Sequence, residues 1–195
     1  MRWARRQQWL SVQEDRDWTR QTMQPPILDS GRLYVTQPGV KAVECVDAES
    51  GKLVWRKVLP TICSIVGLLD DQVIVQTNEG LQAISTQDGQ SLWYHDADQM
   101  MEASLVGQPG GIMYARTDRK KDSKQAVPTL VWLDPKTGQP TKQTSLNPLK
   151  HERPRLGPWI TMPDRLWVFA GAGLEEGART LYDVTAVGPA NAIEP

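Results

Sequence analysis

Residues 45–55 read CVDAESGKLVW, and related copies follow at residues 83–93 (AISTQDGQSLW) and 132–142 (WLDPKTGQPTK). Each copy contains one glycine, and these are Gly51, Gly89 and Gly138. The glycines are separated by 38 and 49 residues. A period near 40, with about four strands between successive turns, is typical of propeller blades. The sequence therefore predicts an all-β fold, a β-propeller of four-stranded antiparallel blades, with about four blades here or half of an eight-bladed ring.

The first copy predicts two strands joined by a tight hairpin. The residues of its first half, which ends at Val46, alternate with period 2, and this alternation indicates a strand. Asp47 and Ser50 can bond nearby backbone N–H groups, and Gly51 can adopt the positive φ that the turn demands. Trp55 lies on the returning strand. A large flat ring there can fill the space between neighbouring sheets.

The repeats divide the chain into a series of predicted blades within a single propeller, residues 1–195. Their approximate bounds are 26–59, 62–96, 102–146 and 158–185. For the first blade we expect strands at Pro26–Asp29, Arg32–Gln37, Ala42–Asp47 and Leu53–Val58. For the last we expect Pro158–Met162, Arg165–Ala170 and Arg179–Thr185. The polar insertion Arg119–Pro128, which we expect to lengthen one loop between two strands, explains the longer second period.

The two ends of the chain have complementary patterns. Arg2-Trp3-Ala4-Arg5 resembles Val54-Trp55-Arg56-Lys57, so residues 2–9 predict an outer strand, while the last blade has three strands. The first strand can complete that blade within one chain, because an open edge would leave backbone groups unpaired. Alternatively, two chains can exchange this strand in a homodimer. A third alternative, which we favour, is that the chain is the C-terminal part of a longer polypeptide.

The recurring pattern resembles the tryptophan-docking repeat AxDxxTGxxxW of the pyrroloquinoline-quinone-type (PQQ-like) β-propellers, a superfamily with quinoprotein alcohol dehydrogenases and BamB-like assembly factors. The matching positions are Asp47, Ser50, Gly51 and Trp55, then Ala83, Gly89 and Trp93, then Asp134, Thr137 and Gly138. The departures are Cys45, Ser85, Asp88, Trp132 and Lys142. The resemblance covers most of the chain. It is specific for fold and weak for function, since one scaffold carries many activities.

Composition excludes some classes of protein. The formal net charge is −1, which gives no field to attract nucleic acid or an anionic membrane. No apolar run reaches the 18 residues of a membrane-spanning helix. The start, MRWARRQQWL, lacks the apolar region of a secretory signal.

The sequence offers no catalytic, cofactor-binding or metal-binding set. Cys45 and Cys63 are predicted to be buried thiols outside any disulfide, and the adjacent cysteine pair of quinoprotein dehydrogenases is missing. His95 and His151 belong to no spaced metal cluster. Asp70, Asp71 and Asn78 have the neighbours of turn residues rather than calcium ligands. We therefore expect no cofactor, and the sequence favours a protein that is not an enzyme.

Two features are candidate interface elements. The insertion carries Arg119, Lys120, Lys121 and Lys124, which could dock an acidic partner or form a solvated loop with Asp118 and Asp122. Trp18 lies in a polar stretch. An exposed tryptophan there could anchor an interface, or it could pack onto its own blade.

Two functions stay open at this point. One is a non-catalytic scaffold that binds an unidentified protein partner, as the resemblance to BamB-like and extracytoplasmic sensor repeat domains implies. The other is a fragment of a PQQ-dependent quinoprotein dehydrogenase whose cofactor site lies in blades outside this sequence. The resemblance also implies a periplasmic or cell-surface location.

Overall fold

The computed structural model describes residues 25–37, 41–97, 100–106, 111–119, 125–146, 154–161, 166–172 and 180–183. In these ranges the chain forms fifteen β-strands and no helix. The strands make three four-stranded sheets and one three-stranded sheet, all with antiparallel neighbours in sequence order. The prediction of an all-β fold built from four-stranded antiparallel blades is confirmed. The chain divides into two compact units, Met1–Asp96 and Ala97–Pro195.

The first unit contains two sheets. The first sheet comprises β1 (Ile27–Asp29), β2 (Arg32–Gln37), β3 (Ala42–Asp47) and β4 (Leu53–Val58), in that order. The second comprises β5 (Ile62–Leu69), β6 (Gln72–Thr77), β7 (Gly80–Ser85) and β8 (Ser91–Asp96). Strands β2, β3 and β4 have the predicted bounds. Turn chemistry explains this agreement, since a glycine lies in each of the segments that separate these strands: Gly31, Gly39 and Gly51.

A packed core joins these two sheets. The first sheet contributes Tyr34, Val43, Cys45 and Trp55, and the second contributes Ile62, Ile65, Val73, Val75 and Ile84. Each fully buried aliphatic side chain of this size contributes about 1.5–3 kcal/mol. Both hairpins include a register shift, between Cys45 and Val46 and between Ala83 and Ile84. Such a bulge bends its strand and re-aims the side chains beside it.

The second unit begins with another four-stranded sheet. Its strands are β9 (Met100–Val106), β10 (Gly111–Arg119), β11 (Ala126–Leu133) and β12 (Pro140–Ser145). The prediction that Arg119–Pro128 is wholly a loop is wrong. Arg119 pairs with Ala126, and Thr117 with Pro128, so both ends of the insertion extend the hairpin. The ladder continues because β10 is long and its partner begins with apolar residues.

The last sheet has three strands, β13 (Pro154–Thr161), β14 (Leu166–Ala172) and β15 (Thr180–Asp183). The predicted start of β13 at Pro158 is wrong, since the strand begins at Pro154. A register shift lies between Leu156 and Trp159, and Pro158 falls inside it. Proline is tolerated at a strand's first residue and in bulges, where no N–H is needed. The predicted closing strand, residues 2–9, lies outside the described residues.

Candidate functional site

The first repeat hairpin is closed by its own polar residues. The Asp47 Oδ1 accepts hydrogen bonds from the Ser50 N–H at 2.7 Å and from the Ser50 hydroxyl at 2.6 Å. The Ser50 Oγ accepts the Lys52 N–H at 3.3 Å. Gly51 has φ +72° and donates its N–H to the Asp47 carbonyl at 2.8 Å. Aspartate, serine and glycine thus each perform the turn role that their chemistry favours.

The other two hairpins keep this geometry with different side chains. Gly89 and Gly138 have φ +74° and +69°, and each donates to the carbonyl four residues earlier. In the third hairpin Asp134 Oδ1 accepts from the Lys136 and Thr137 N–H groups at 2.7 and 3.0 Å. In the second, Asp88 Oδ1 accepts the Gln90 N–H at 3.1 Å. Asp88 therefore takes over the bond that Ser50 makes in the first hairpin.

The three hairpin carboxyl groups have lowered pKa values, because hydrogen bonds favour the ionised form. For Asp47 the main cause is the Ser50 hydroxyl, followed by the Ser50 N–H. For Asp88 it is the Gln90 N–H. For Asp134 it is the Lys136 N–H, followed by the Thr137 N–H. All three are therefore charged at neutral pH and serve the turns.

Trp55 of the first sheet contacts the hairpin of the second sheet. The indole Nε1 donates to the Thr86 carbonyl at 2.9 Å. The ring lies so close to Gly89 that a Cβ there would meet Trp55 carbons at 2.8 and 2.9 Å. The Trp55 ring also lies 6.1 Å from the Tyr34 ring, between centroids, at a tilt of 49°. This contact, with Trp55 only 7% exposed, closes the core between the sheets.

Sequence reasoning did not find Arg32, which reaches the same carbonyl. Its Nη1 donates to the Thr86 carbonyl at 2.6 Å. The hairpin backbone is held in turn by the Thr86 N–H and hydroxyl, which donate to the Asp71 carbonyl at 2.9 and 3.1 Å. The local sequence around an arginine at the start of a strand does not predict a hydrogen bond to a residue so far along the chain.

In the other two repeats, contacts within the sheet also involve an aromatic ring. Trp93 donates its indole N–H to the Gln72 Oε1 at 3.2 Å. Lys142 occupies the tryptophan place of the third repeat, and its Nζ lies 4.8 Å from the Trp132 ring centroid. This distance permits a cation–π interaction. The three repeats therefore share the geometry of the hairpin.

Glu44 on β3 is a fully buried carboxylate that the alternation pattern did not single out. It is 0% exposed and forms an ion pair with Arg56 on the adjacent strand β4. The Arg56 Nε donates to Glu44 Oε1 at 2.5 Å. Burial of a charge is costly unless it is paired in this way. The signal that could have found it is the cross-strand placement of opposite charges.

The cysteines differ from each other in environment. Neither forms a disulfide; Cys45 is buried, whereas Cys63 is only half-buried, so the prediction of two buried thiols is wrong for Cys63. The Cys63 Sγ lies 2.8 Å from the Asn78 Oδ1, near the surface. Burial is the main cause that raises the pKa of the Cys45 thiol and of the Tyr34 hydroxyl.

The predicted turn residues lie in turns: Asp70 and Asp71 join β5 to β6, and Asn78 lies between β6 and β7. Within the part of the chain that the structure describes, no group of three His, Cys, Asp or Glu residues could hold a metal ion. The same part contains no helix long and apolar enough to cross a membrane.

The candidate interface residues are placed only in part. Arg119 is the last residue of β10, and the other loop residues and Trp18 lie outside the described ranges. The exposed large apolar side chains of the described part instead concentrate on the outer strands β4 and β8. These are Leu53, Val54 and Val58 on β4, and Leu92 and Tyr94 on β8, with Leu28 on β1 as the sixth.

Comparison with known proteins agrees with this architecture. The family model of the outer membrane protein assembly factor BamB matches residues 4–157. No curated protein matches the sequence. Among solved structures, BamB from Moraxella catarrhalis superposes with a TM-score of 0.55 at 15% identity, over 81% of this chain and 44% of that one. This chain therefore spans less than half of that protein's length.

A europium-containing methanol dehydrogenase superposes more weakly, with a TM-score of 0.44 at 12% identity, over 74% of this chain and 39% of that one. A score of this size carries no argument about function. The family match extends over most of the chain and includes all three repeat hairpins. The chain therefore belongs to the family of the outer membrane protein assembly factor BamB, whose members are PQQ-like β-propeller repeat proteins.

Proposed function

We propose that this chain is a non-catalytic β-propeller scaffold that binds another protein. The observation that carries the proposal is the position of its exposed apolar side chains. Five of the six large ones in the described part lie on β4 and β8, the outer strands of two packed sheets. Single exposed apolar residues are normal, whereas a concentration of them marks an interaction surface.

The backbone of these strands supports the proposal. Among the strands that the structure describes, β4 and β8 are each the last in their sheet and have a sheet partner on one side only. An open edge offers unpaired N–H and C=O groups to a partner's extended segment. Arg56 and Lys57 on β4 limit unselective pairing, because charged side chains on an edge oppose aggregation.

Family membership supports a proposal about the cellular location of the protein and the class of its partner. The matching family is described as an outer membrane protein assembly factor. This likeness supports our proposal that the protein acts in the periplasm or at the cell surface, with a protein as its partner. We also keep the arrangement in which residues 2–9 complete the last blade of one propeller, within one chain or by strand exchange between two. Sedimentation across a hundredfold range of concentration distinguishes these, because only the exchanged form changes mass.

Site-specific photo-crosslinking tests the interaction surface. A photoreactive phenylalanine analogue is placed at Leu53 or Leu92 on the outer strands, or at the control position Glu49 on the first hairpin, in the organism's own protein. We expect one shared crosslinked protein from the strand positions and none from Glu49. That protein, once purified, should bind the chain, and Leu53→Ser with Leu92→Ser should weaken binding. Equal crosslinking at Glu49, or unchanged binding by the double variant, would refute the surface.

The alternative, a fragment of a quinoprotein dehydrogenase, is tested with the purified chain. Pyrroloquinoline quinone and Ca²⁺ are titrated in a calorimeter, and the melting temperature is recorded at each concentration. We expect no saturable heat and no rise in melting temperature, whereas a bound ligand raises the melting temperature by mass action. Saturable binding would overturn the scaffold proposal.

A further inference from the structure

The backbone of β4 directs part of its hydrogen-bonding groups away from its sheet. Just beyond β4, the Leu59 N–H donates to the Lys41 carbonyl at 2.8 Å, in register with the β3–β4 ladder. Hydrogen-bonded and non-bonded pairs alternate along an antiparallel ladder. Lys57 therefore bonds to β3, whereas the N–H and C=O groups of Arg56 and Val58 point outward from the sheet.

The outer strand of the second sheet follows the same alternation. The Ser85 N–H donates to the Gln90 carbonyl at 2.9 Å, which repeats the bond at the same position of the first hairpin. The register shift also lies at the same position in both ladders. On β8 the outward positions therefore belong to Tyr94 and Asp96.

The outer strand of the third sheet can be placed in the same way. The Leu146 N–H donates to the Pro128 carbonyl at 2.8 Å, so Gln143 and Ser145 take the outward positions on β12. The Ser145 and Thr129 hydroxyls lie 3.2 Å apart, as expected where a non-bonded pair brings side chains together. This edge is polar and has no charged side chain at its outward positions.

The outward side chains distinguish β4 from the other two described edges. Arg56 and Val58 lie two residues apart and so on one face, and both are exposed, the Arg56 side chain by 42% and Val58 by 60%. Lys57 adds a second positive charge to the strand. On β8 the equivalent positions carry Tyr94 and the acidic Asp96. Of these three edges, β4 is the one that combines a cation with an apolar side chain.

Arg56 is already held in place for a carboxylate. Its Nε and Nη2 both contact Oε1 of the buried Glu44 on β3, and Nη1 takes no part in this pair. A guanidinium whose conformation is already fixed loses less side-chain entropy when it binds a further group. The two N–H groups of Nη1 can therefore serve as donors to an acidic residue on an adjoining strand.

We propose that the β4 edge takes an extended segment of the partner protein as a fifth, antiparallel strand, with a carboxylate opposite Arg56 and an apolar side chain opposite Val58. This assignment rests on the proposed function and specifies the partner's chemistry. Backbone bonds supply affinity, and the side-chain pairs set the register. A second copy of this chain fits less well, because β4 paired with itself around its centre sets Arg56 against Arg56 or Lys57 against Lys57.

The test titrates a fluorescein-labelled peptide, Thr-Val-Thr-Glu-Thr-Val-Thr, with the purified full chain and records the fluorescence anisotropy. One matched peptide has lysine in place of glutamate, and another has an N-methyl group on the glutamate amide. We expect saturable binding that is about two- to fivefold weaker with lysine, as for cross-strand pairs of opposite charge. The N-methyl peptide should not bind, because a backbone bond is blocked. Equal binding by all three peptides would overturn the proposal.

Two proline variants locate the binding edge. Val58→Pro removes an outward N–H and leaves the ladder to β3 intact, since proline is tolerated on an edge where its nitrogen faces outward. Asp96→Pro is the matched control at the equivalent position on β8. Only Val58→Pro should lose peptide binding, and equal binding by the two variants would overturn the assignment to β4. The peptide series needs no altered chain, so it decides even if Val58→Pro fails to fold.

Crosslinking from Leu53 and Leu92 separates this inference from the proposed function. If the crosslinked protein binds Val58→Pro as tightly as the wild type, the interaction surface stands and strand addition is overturned. The absence of any crosslinked protein would instead remove the proposed function. In sedimentation, a mass that rises with concentration in the wild type but not in Val58→Pro would show that a second copy occupies the edge, which would overturn the acidic partner.

Discussion

Replacement of Gly89 by alanine tests whether the Trp55 ring rests on the backbone of the neighbouring hairpin. Two costs arise. Gly89 has φ +74°, where an L-residue costs about 1–2 kcal/mol. The new Cβ would also meet ring carbons of Trp55 at 2.8 and 2.9 Å, and overpacking of this kind costs about 1–3 kcal/mol. The free energy of unfolding should therefore fall by about 2–5 kcal/mol.

Gly31 provides a matched control in the same unit. Its φ is +76°, nearly that of Gly89, but nothing lies within 4 Å of the position that an added Cβ would occupy. Gly31→Ala should therefore lose only the backbone cost of about 1–2 kcal/mol. The difference between the two variants isolates the contact with the ring. This difference in the free energy of unfolding, about 1–3 kcal/mol, separates the urea midpoints of the two variants by about 0.5–1.5 M when the slope is about 2 kcal/mol/M.

Urea unfolding followed by circular dichroism gives the midpoints, and a double-variant cycle gives the coupling. In a Trp55→Leu background the ring is absent, so Gly89→Ala should cost about as much as Gly31→Ala. The coupling between positions 55 and 89 should then be about 1–3 kcal/mol, as for residues in direct contact. Equal losses for the two glycine variants, together with zero coupling, would show that the ring does not rest on Gly89.

Three further predictions follow from the described groups. A thiol reagent should label Cys63 rapidly in the folded protein and Cys45 only on unfolding, because Cys45 is buried; two fast thiols would contradict this burial. The raised pKa of Tyr34 means that its stabilising contribution is complete below about pH 10 and is lost as the pH rises through the folded value. Tyr34→Phe should therefore flatten the alkaline fall in the urea midpoint, and an unchanged profile would refute it. The lowered pKa of Asp47 has the opposite sign, so its contribution is present above about pH 4 and is lost on acidification. Asp47→Asn should reduce that acid loss while the Ser50 contact remains, as urea midpoints between pH 2 and 6 would show.

The fold was largely predictable from the sequence because its signals are local. Gly51, Gly89 and Gly138 mark the hairpins, and each adopts the positive φ that their turn requires. The strands between them are short and bounded by glycine or paired aspartates, which leaves little freedom in their limits. There are two exceptions. The ends of the insertion Arg119–Pro128 pair with each other across the β10–β11 hairpin, and in β13 two prolines compete as the strand start, so that only the pairing with β14 decides between them.

The candidate site was less predictable because its contacts connect distant parts of the chain. Trp55 and Thr86 are 31 residues apart, and Arg32 and Thr86 are 54 apart. The secondary-structure propensities of residues depend on near neighbours in sequence and therefore cannot predict such pairs. The burial of Glu44 was missed for the same reason, since period-2 alternation separates two faces but does not reveal that both are covered.

Each repeat hairpin is closed by hydrogen bonds between its own residues. A stretch of about 40 residues can therefore be copied or deleted in a gene without breaking the turns on either side of the join. The second interval between repeat glycines is 11 residues longer than the first, which shows that a repeat unit tolerates lengthening. The ends of the added segment pair within the β10–β11 hairpin, while the glycine and the aspartate of the repeat keep their positions. Variation in the number and length of these repeat units can give rings of different size from one kind of unit.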